Sequence, residues 1–91
     1  MNTITFPLWL QEQHERNGYT MYSVGSDAIY CVLELTGDTV TYSFHGGEDG
    51  TETYRREFKS PKSAANFYLK CARRMKRCAE RRTIPLWHSL N

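Results

Sequence analysis

The middle third of the chain alternates between apolar and polar residues, which is the pattern of β-strands that bury one face. In segment 29–35, one face carries Ile29, Cys31, Leu33 and Leu35. After a short turn at 36–38, the apolar positions of the next segment are Val40, Tyr42 and Phe44. Two alternating runs joined by a short turn that contains glycine predict a β-hairpin.

Two further segments extend this hairpin into a sheet. Residues 19–24 predict a strand upstream, joined to the hairpin through Gly25-Ser26-Asp27. Downstream, the acidic, glycine-rich loop 45–50 leads to a strand at 51–58. Because sequential strands joined by short turns usually pair with their neighbours, we expect an antiparallel meander of three to four strands, in the order 1-2-3-4 when all four form.

Helical spacing replaces the alternation after residue 59. Ser60 is a favourable N-cap and Pro61 suits the first helical position, so we predict a helix from here to about Arg82. Its apolar face is expected to pack on the sheet and contains Ala64, Phe67, Tyr68, Cys71, Ala72, Met75, Cys78 and Ala79. The opposite face is almost entirely cationic and contains Lys62, Lys70, Arg73, Arg74, Lys76, Arg77 and Arg81.

Shorter elements are predicted at both ends of the chain. Thr5 can cap a short first helix, which ends at Asn17-Gly18. Beyond the long helix, residues 83–91 form a short apolar tail that includes Trp87. Two alternatives remain open for Trp87: it folds back over the sheet or the helix, or it is an exposed anchor for a partner.

These elements define an α+β fold with a short N-terminal helix, an antiparallel meander and one long amphipathic helix packed on it. At 91 residues the chain is a single compact domain, 1–91, too short for a large enclosed active site. Its start lacks the basic and apolar regions of a leader, and no apolar run is long enough to cross a bilayer. We therefore expect a protein that is neither secreted nor membrane-spanning.

The cysteines and histidines do not form a recognisable reactive or metal-binding motif. The chain has an odd number of cysteines, three. Cys71 and Cys78 lie two helical turns apart, so their Cα atoms are expected to be about 10 Å apart, which is too far for a disulfide. We expect reduced, buried thiols and a cytoplasmic location. No closely spaced Cys or His pair predicts a metal site, and no Ser or Cys has a base at a known spacing. We predict no enzyme activity, no catalytic residues, no cofactor and no metal.

Acidic and basic residues are segregated along the chain, with most acids in the first part and most bases in the second. Residues 1–54 carry eight acids against Arg16 alone, for a net charge of −7, whereas residues 55–91 carry eleven bases against two acids, for a net charge of +9. Such segregation steers association with charged partners. A cationic helix face suits phosphates, and like charges three or four residues apart cost stability, which favours a functional role over simple solvation of the surface. Four of the acids, Asp27, Asp38, Glu48 and Asp49, fall in predicted turns, where turn chemistry explains them better than phosphate mimicry does.

Two family resemblances bear on function. The order helix, meander, helix resembles the double-stranded-RNA-binding domain, although Lys59 and Lys62 replace only part of that family's lysine cluster and Gly25-Ser26-Asp27 stands in place of its Gly-Pro-x-His loop. In size, aromatic content, charge segregation and layout, the whole chain is similar to small phage-encoded inhibitors of host defence, including anti-CRISPR proteins. That similarity implies a non-enzymatic protein that inhibits a host nucleic-acid-processing or defence complex by occupying a charged surface. The alternative is direct binding of DNA or RNA through the basic helix face.

Overall fold

The computed structural model describes residues 5–91 and shows the predicted α+β fold. A short 3-10 turn at Gly47–Asp49 precedes the last strand. The other elements, in chain order, are α1 (Leu8–Asn17), β1 (Met21–Gly25), β2 (Ile29–Thr36), β3 (Thr39–Gly46), β4 (Thr51–Glu57), α2 (Pro61–Glu80) and α3 (Trp87–Leu90).

The four strands form one antiparallel sheet in the order β1-β2-β3-β4, as predicted. Leu33 of β2 is paired with Tyr22 of β1 on one side and with Tyr42 of β3 on the other, and all three lie on the core face. The β1–β2 hairpin closes tightly at Gly25, where a Cβ atom would lie 2.5 Å from the carbonyl oxygen of Ile29. Only glycine fits at this position.

The core lies between one face of the sheet and α2. The predicted alternation is confirmed in the middle of the hairpin, where Cys31, Leu33, Val40 and Tyr42 are fully buried. From α2, the fully buried residues are Ala64, Tyr68, Cys71, Ala72 and Met75. Ile29 is the exception on the predicted face, with 47% exposure, because it lines an open groove beside the end of α2.

The start of α2 is as predicted and its end is earlier. The Ser60 Oγ accepts a hydrogen bond from the Ser63 N–H at 3.1 Å, and Pro61 is the first helical residue. The helix stops at Glu80 because Arg82 adopts a left-handed conformation with φ 56°. The N–H of Arg82 bonds to the carbonyl of Ala79 and the N–H of Thr83 to that of Cys78, which is the hydrogen-bond pattern of a Schellman motif.

At α1 the predicted cap is wrong and the predicted end is right. The N-cap is Pro7, not Thr5, and it has no side-chain capping bond. Its carbonyl instead accepts from the N–H groups of Leu10 and Gln11, both at 3.0 Å. Gly18 ends the helix with φ 80° and donates to the carbonyl of His14 at 2.9 Å. Leu10 is the residue of α1 that reaches full burial in the core.

Candidate functional site

The exposed face of α2 carries a stripe of cations. Five residues make up this basic stripe, and all are exposed: Lys70, Arg73, Arg74, Arg77 and Arg81. At 1.5 Å per residue, the stripe extends about 16 Å along the helix axis. The helix presents these side chains away from the sheet because its apolar residues occupy the other side.

Two other cations of the predicted face lie apart from the basic stripe. Lys62 is exposed in the first turn of α2, about 12 Å along the axis from Lys70. Lys76 is half-buried on the flank near α1, with its Nζ 5.5 Å from the ring centroid of Trp9 and 3.0 Å from Glu80 Oε1. Lys76 is therefore engaged in contacts within the protein.

The basic stripe is not neutralised within the described part of the chain. Among the side chains that the structure describes, the salt bridges are Arg55–Glu57 at 2.8 Å on the sheet and Lys76–Glu80 at 3.0 Å on the flank of α2. Neither involves the stripe. Its members are three or four residues apart, and like charges at this spacing repel one another. The stripe is therefore a region of concentrated positive potential.

The C-terminal half of the stripe lines a groove against α3. We call it the arginine groove; its volume is about 340 Å³ and it is lined by Arg74, Arg77, Cys78, Arg81, Pro85 and Ser89. One guanidinium nitrogen of Arg74 donates to the backbone carbonyl of Ser89 and so holds this arginine against α3. The groove thus brings three arginines and a serine together along a single concavity.

Trp87 is part of the core, so the packed alternative is the one that the structure shows. Its side chain is only 8% exposed. The indole stacks on Tyr54 with ring centroids 5.8 Å apart and meets Phe67 edge-on at 5.9 Å. The prediction that Trp87 contributes to a partner-binding surface is corrected, because burial leaves almost no indole surface for a partner.

The acidic residues do not gather as the basic ones do. Asp27 lies in the β1–β2 turn and Glu48 in the loop before β4, at one end of the sheet. Asp38 lies in the β2–β3 turn at the opposite end, and Glu34 lies on the face of the sheet away from α2. Among the described side chains, the negative charge is therefore divided between several surfaces.

Two of the three histidines, His14 and His45, are occupied by packing contacts, whereas His88 is exposed. His14 Nε2 lies 2.7 Å from the buried Tyr68 hydroxyl, and desolvation lowers the pKa of His14. His45 stacks on Tyr30 with centroids 4.3 Å apart, and its Nδ1 lies 3.1 Å from Thr51 Oγ1. Among the side chains that the structure describes, no three His, Cys, Asp or Glu residues are grouped so that they could hold a metal ion.

Burial also determines the state of the thiols. Cys31 and Cys71 are buried and Cys78 is half-buried, and all three are free. Desolvation raises the pKa of Cys71 to about 11, so this thiol is protonated at neutral pH. A protonated, buried thiol is a poor nucleophile. Cys31 and Cys71 are core residues rather than reactive groups.

A second, apolar groove was not anticipated from the sequence. It has a volume of about 710 Å³, and its lining includes Ile29, Phe44, Ile84, Leu86 and Arg82. Leu86 is 66% exposed and Ile29 is 47% exposed. Because both line this groove, they form an exposed aliphatic surface rather than isolated exposed side chains. Neither Arg82 here nor Ser89 in the arginine groove was a predicted site residue. No local pattern places an arginine in a left-handed conformation or brings residue 89 back to α2.

Comparison of the chain with protein families, curated proteins and solved structures gave no match. In the described part of the chain, none of the helices has the length and apolar character required to cross a lipid bilayer.

Proposed function

We propose that this protein is a non-enzymatic binding protein whose basic stripe on α2 binds nucleic acid. One observation carries the proposal: five exposed cations lie along one helix face with no salt bridge to a described carboxylate. Phosphates would relieve the repulsion within the stripe. Binding would also release counterions from the nucleic acid, which is the usual source of such affinity.

The divided arrangement of the acids supports the same choice. An acidic mimic of nucleic acid needs carboxylates along one surface, whereas Asp27 and Asp38 lie at opposite ends of the sheet. The basic stripe is continuous over about 16 Å. Of the two charged halves of the sequence, the basic one thus supplies the more coherent binding surface.

Inhibition of a host nucleic-acid-handling or defence complex is the second candidate, in line with the resemblance to phage-encoded inhibitors. The observation that favours it is the apolar groove, because Ile29 and Leu86 are exposed aliphatic side chains beside Arg82. Aliphatic surface of this kind is buried by protein partners rather than by phosphates. Both candidates place the protein in the cytoplasm, where its free thiols remain reduced.

Binding to unrelated DNA and RNA duplexes across a salt series tests the first candidate. We expect the logarithm of the affinity to fall linearly with the logarithm of salt concentration, and Arg73→Glu to weaken binding and reduce the slope by about 1. Arg16→Glu on α1 is the matched control, because Arg16 is an exposed arginine outside the stripe. Equal losses in the two variants would contradict binding through the stripe.

A pull-down from host lysate, with and without nuclease, separates the two candidates. If the protein acts on nucleic acid, nuclease treatment releases whatever host proteins are retained. If it acts as an inhibitor on a host protein, the same proteins remain bound after nuclease treatment, and Leu86→Glu releases them. No binding to either duplex, combined with nuclease-resistant retention, would overturn the first candidate in favour of the second.

A further inference from the structure

The arginine groove differs from the rest of the basic stripe because it is concave and partly walled by α3. Lys70 and Arg73 are exposed on the open helix surface. Arg74, Arg77 and Arg81 instead face the chain around Pro85 and Ser89, which closes one side. A volume of about 340 Å³ lies at the lower end of the range of small-ligand sites, about 300–1,000 Å³.

The position of the groove walls is fixed by hydrogen bonds. The Tyr42 hydroxyl, on the sheet, donates to the carbonyl of Pro85, and Arg74 donates to the carbonyl of Ser89. The N–H of Ser89 donates to the carbonyl of Leu86 at 2.9 Å, which fixes the backbone of this wall. A groove held in this way needs little rearrangement to bind.

From this geometry we infer that the arginine groove binds a terminal phosphate monoester of a nucleic-acid strand. The inference rests on the proposed function and adds the chemical group that this part of the surface takes. A monoester phosphate carries a charge of about −1.5 to −2 and three acceptor oxygens, whereas a backbone diester has one charge and two free oxygens. The three arginines of the groove carry three positive charges, so a doubly charged monoester is attracted more strongly than a singly charged diester, and its third oxygen accepts an additional charge-assisted hydrogen bond.

The electrostatic potential of the groove favours the binding of a multiply charged anion. α2 has one acidic residue, Glu80, and its carboxylate is held by Lys76 at 3.0 Å on the other flank of the helix. The positive charges of Lys70, Arg56 and Arg74 also act on the nearby Cys71 thiol, in the direction that lowers its pKa, against the larger effect of burial. An anion in the groove thus meets positive potential without a competing described carboxylate.

Two oligonucleotides that differ only in a 5′-phosphate test this inference at about 150 mM salt, the physiological ionic strength. The wild-type protein is expected to bind the phosphorylated strand about tenfold more tightly. Arg77→Ala should remove this preference. Arg73→Ala is the matched control, because it removes an equal charge from the same helix outside the groove; it should weaken binding of both strands and keep the preference.

The remaining outcomes are distinguishable. Arg77→Lys keeps the charge but loses the planar fork of the guanidinium group, and should retain overall binding while losing most of the preference. Binding of both strands by the wild type with equal affinity would overturn the groove assignment and leave the proposed function standing. A preference that survives Arg77→Ala would do the same. Failure to bind either strand would overturn the groove assignment, and the duplex series would then decide the proposed function separately.

Discussion

At the scale of single residues, the buried hydroxyl of Tyr68 depends on His14 for its hydrogen bond. Tyr68 is fully buried, and its Oη lies 2.7 Å from His14 Nε2. In the neutral tautomer that carries its proton on Nδ1, Nε2 accepts the Tyr68 hydroxyl proton. Protonation of His14 converts Nε2 into a donor, which deprives the Tyr68 hydroxyl of this acceptor in an interior where an unmade bond is costly. Desolvation acts in the same direction and lowers the pKa of His14.

We predict that stability decreases on acidification because of this pair. A histidine whose folded pKa lies below its ordinary value of 6.5 favours folding in its neutral form. Its contribution is complete above pH 6.5 and is lost as the pH falls from there through the folded pKa. His14→Gln retains an acceptor that does not titrate. Thermal melts at pH 7.5 and 5 should show a smaller decrease in Tm for His14→Gln than for the wild type; equal decreases would contradict the role of His14.

Arg82 is strained in the folded chain. It occupies the left-handed position that ends α2, with φ 56°, whereas the equivalent position after α1 is occupied by Gly18 with φ 80°. Left-handed conformations cost roughly 1–2 kcal/mol for residues other than glycine. Strain of this kind is often retained where a side chain has a function, and Arg82 lines the apolar groove.

We predict that Arg82→Gly stabilises the fold by about 0.5–1 kcal/mol, after allowance for the greater entropy of glycine in the unfolded chain. Arg82→Ala removes the same charge but keeps a Cβ atom, so it should give no such gain. Urea unfolding of the two variants measures the difference. If Arg82→Gly is no more stable than Arg82→Ala, the backbone at this position is not strained.

The sequence was sufficient to predict whether a residue of α2 faces the core or the surface. It was not sufficient to predict which distant residue a side chain contacts. The 3.6-residue period of α2 was sufficient to place Met75 in the core and Arg73 outside it. The bond between His14 and Tyr68 joins positions 54 residues apart, and no pattern within either segment indicates it. The expected cap at Thr5 failed because composition allows a cap without requiring one.

At the scale of elements, α3 is a four-residue helix that tertiary contacts hold in place. A helix this short is not stable alone, so its position depends on what it packs against. Trp87 and Leu90 face the core, and Asn91 Oδ1 accepts a hydrogen bond from Arg56 at 2.6 Å. The sequence therefore predicted the apolar character of the tail but not where it docks, which is why both alternatives for Trp87 remained open.

Removal of the Trp87 side chain should be among the most damaging substitutions in this protein. Trp87 fills the space between Tyr54, Tyr42 and Phe67. We predict that Trp87→Ala lowers the free energy of unfolding by about 3–5 kcal/mol, which is typical of a large aromatic side chain removed from a core. His88→Ala, at the next and exposed position, should change it by about 0.5 kcal/mol or less. Denaturant unfolding of both variants checks this, and a mild effect of Trp87→Ala would mean that the tail is loosely attached.

At the scale of the whole molecule, the basic residues, which are close together in the sequence, also share one surface of the fold. The acidic residues do not. One helix carries the basic stripe, so charges separated in sequence by one turn remain neighbours in the fold. The acids are distributed over α1, the turns at both ends of the sheet, the strands and the end of α2, so the fold places them on several surfaces. The field of the basic stripe would therefore orient α2 toward a polyanion. The basic face of α2 could be predicted from the sequence. The distribution of the acids over several surfaces could be seen only once the topology of the fold was known.

The two tryptophans lie on opposite flanks of α2, so intrinsic tryptophan fluorescence can report on both flanks. Trp9 is half-buried beneath the Lys76 ammonium group, while Trp87 is enclosed by aromatic rings on the flank near β4. A small neutral quencher such as acrylamide therefore has more access to Trp9 than to Trp87, which is 8% exposed. Collisional quenching of fluorescence therefore resolves events at the N-terminal helix from events at the tail without any attached dye.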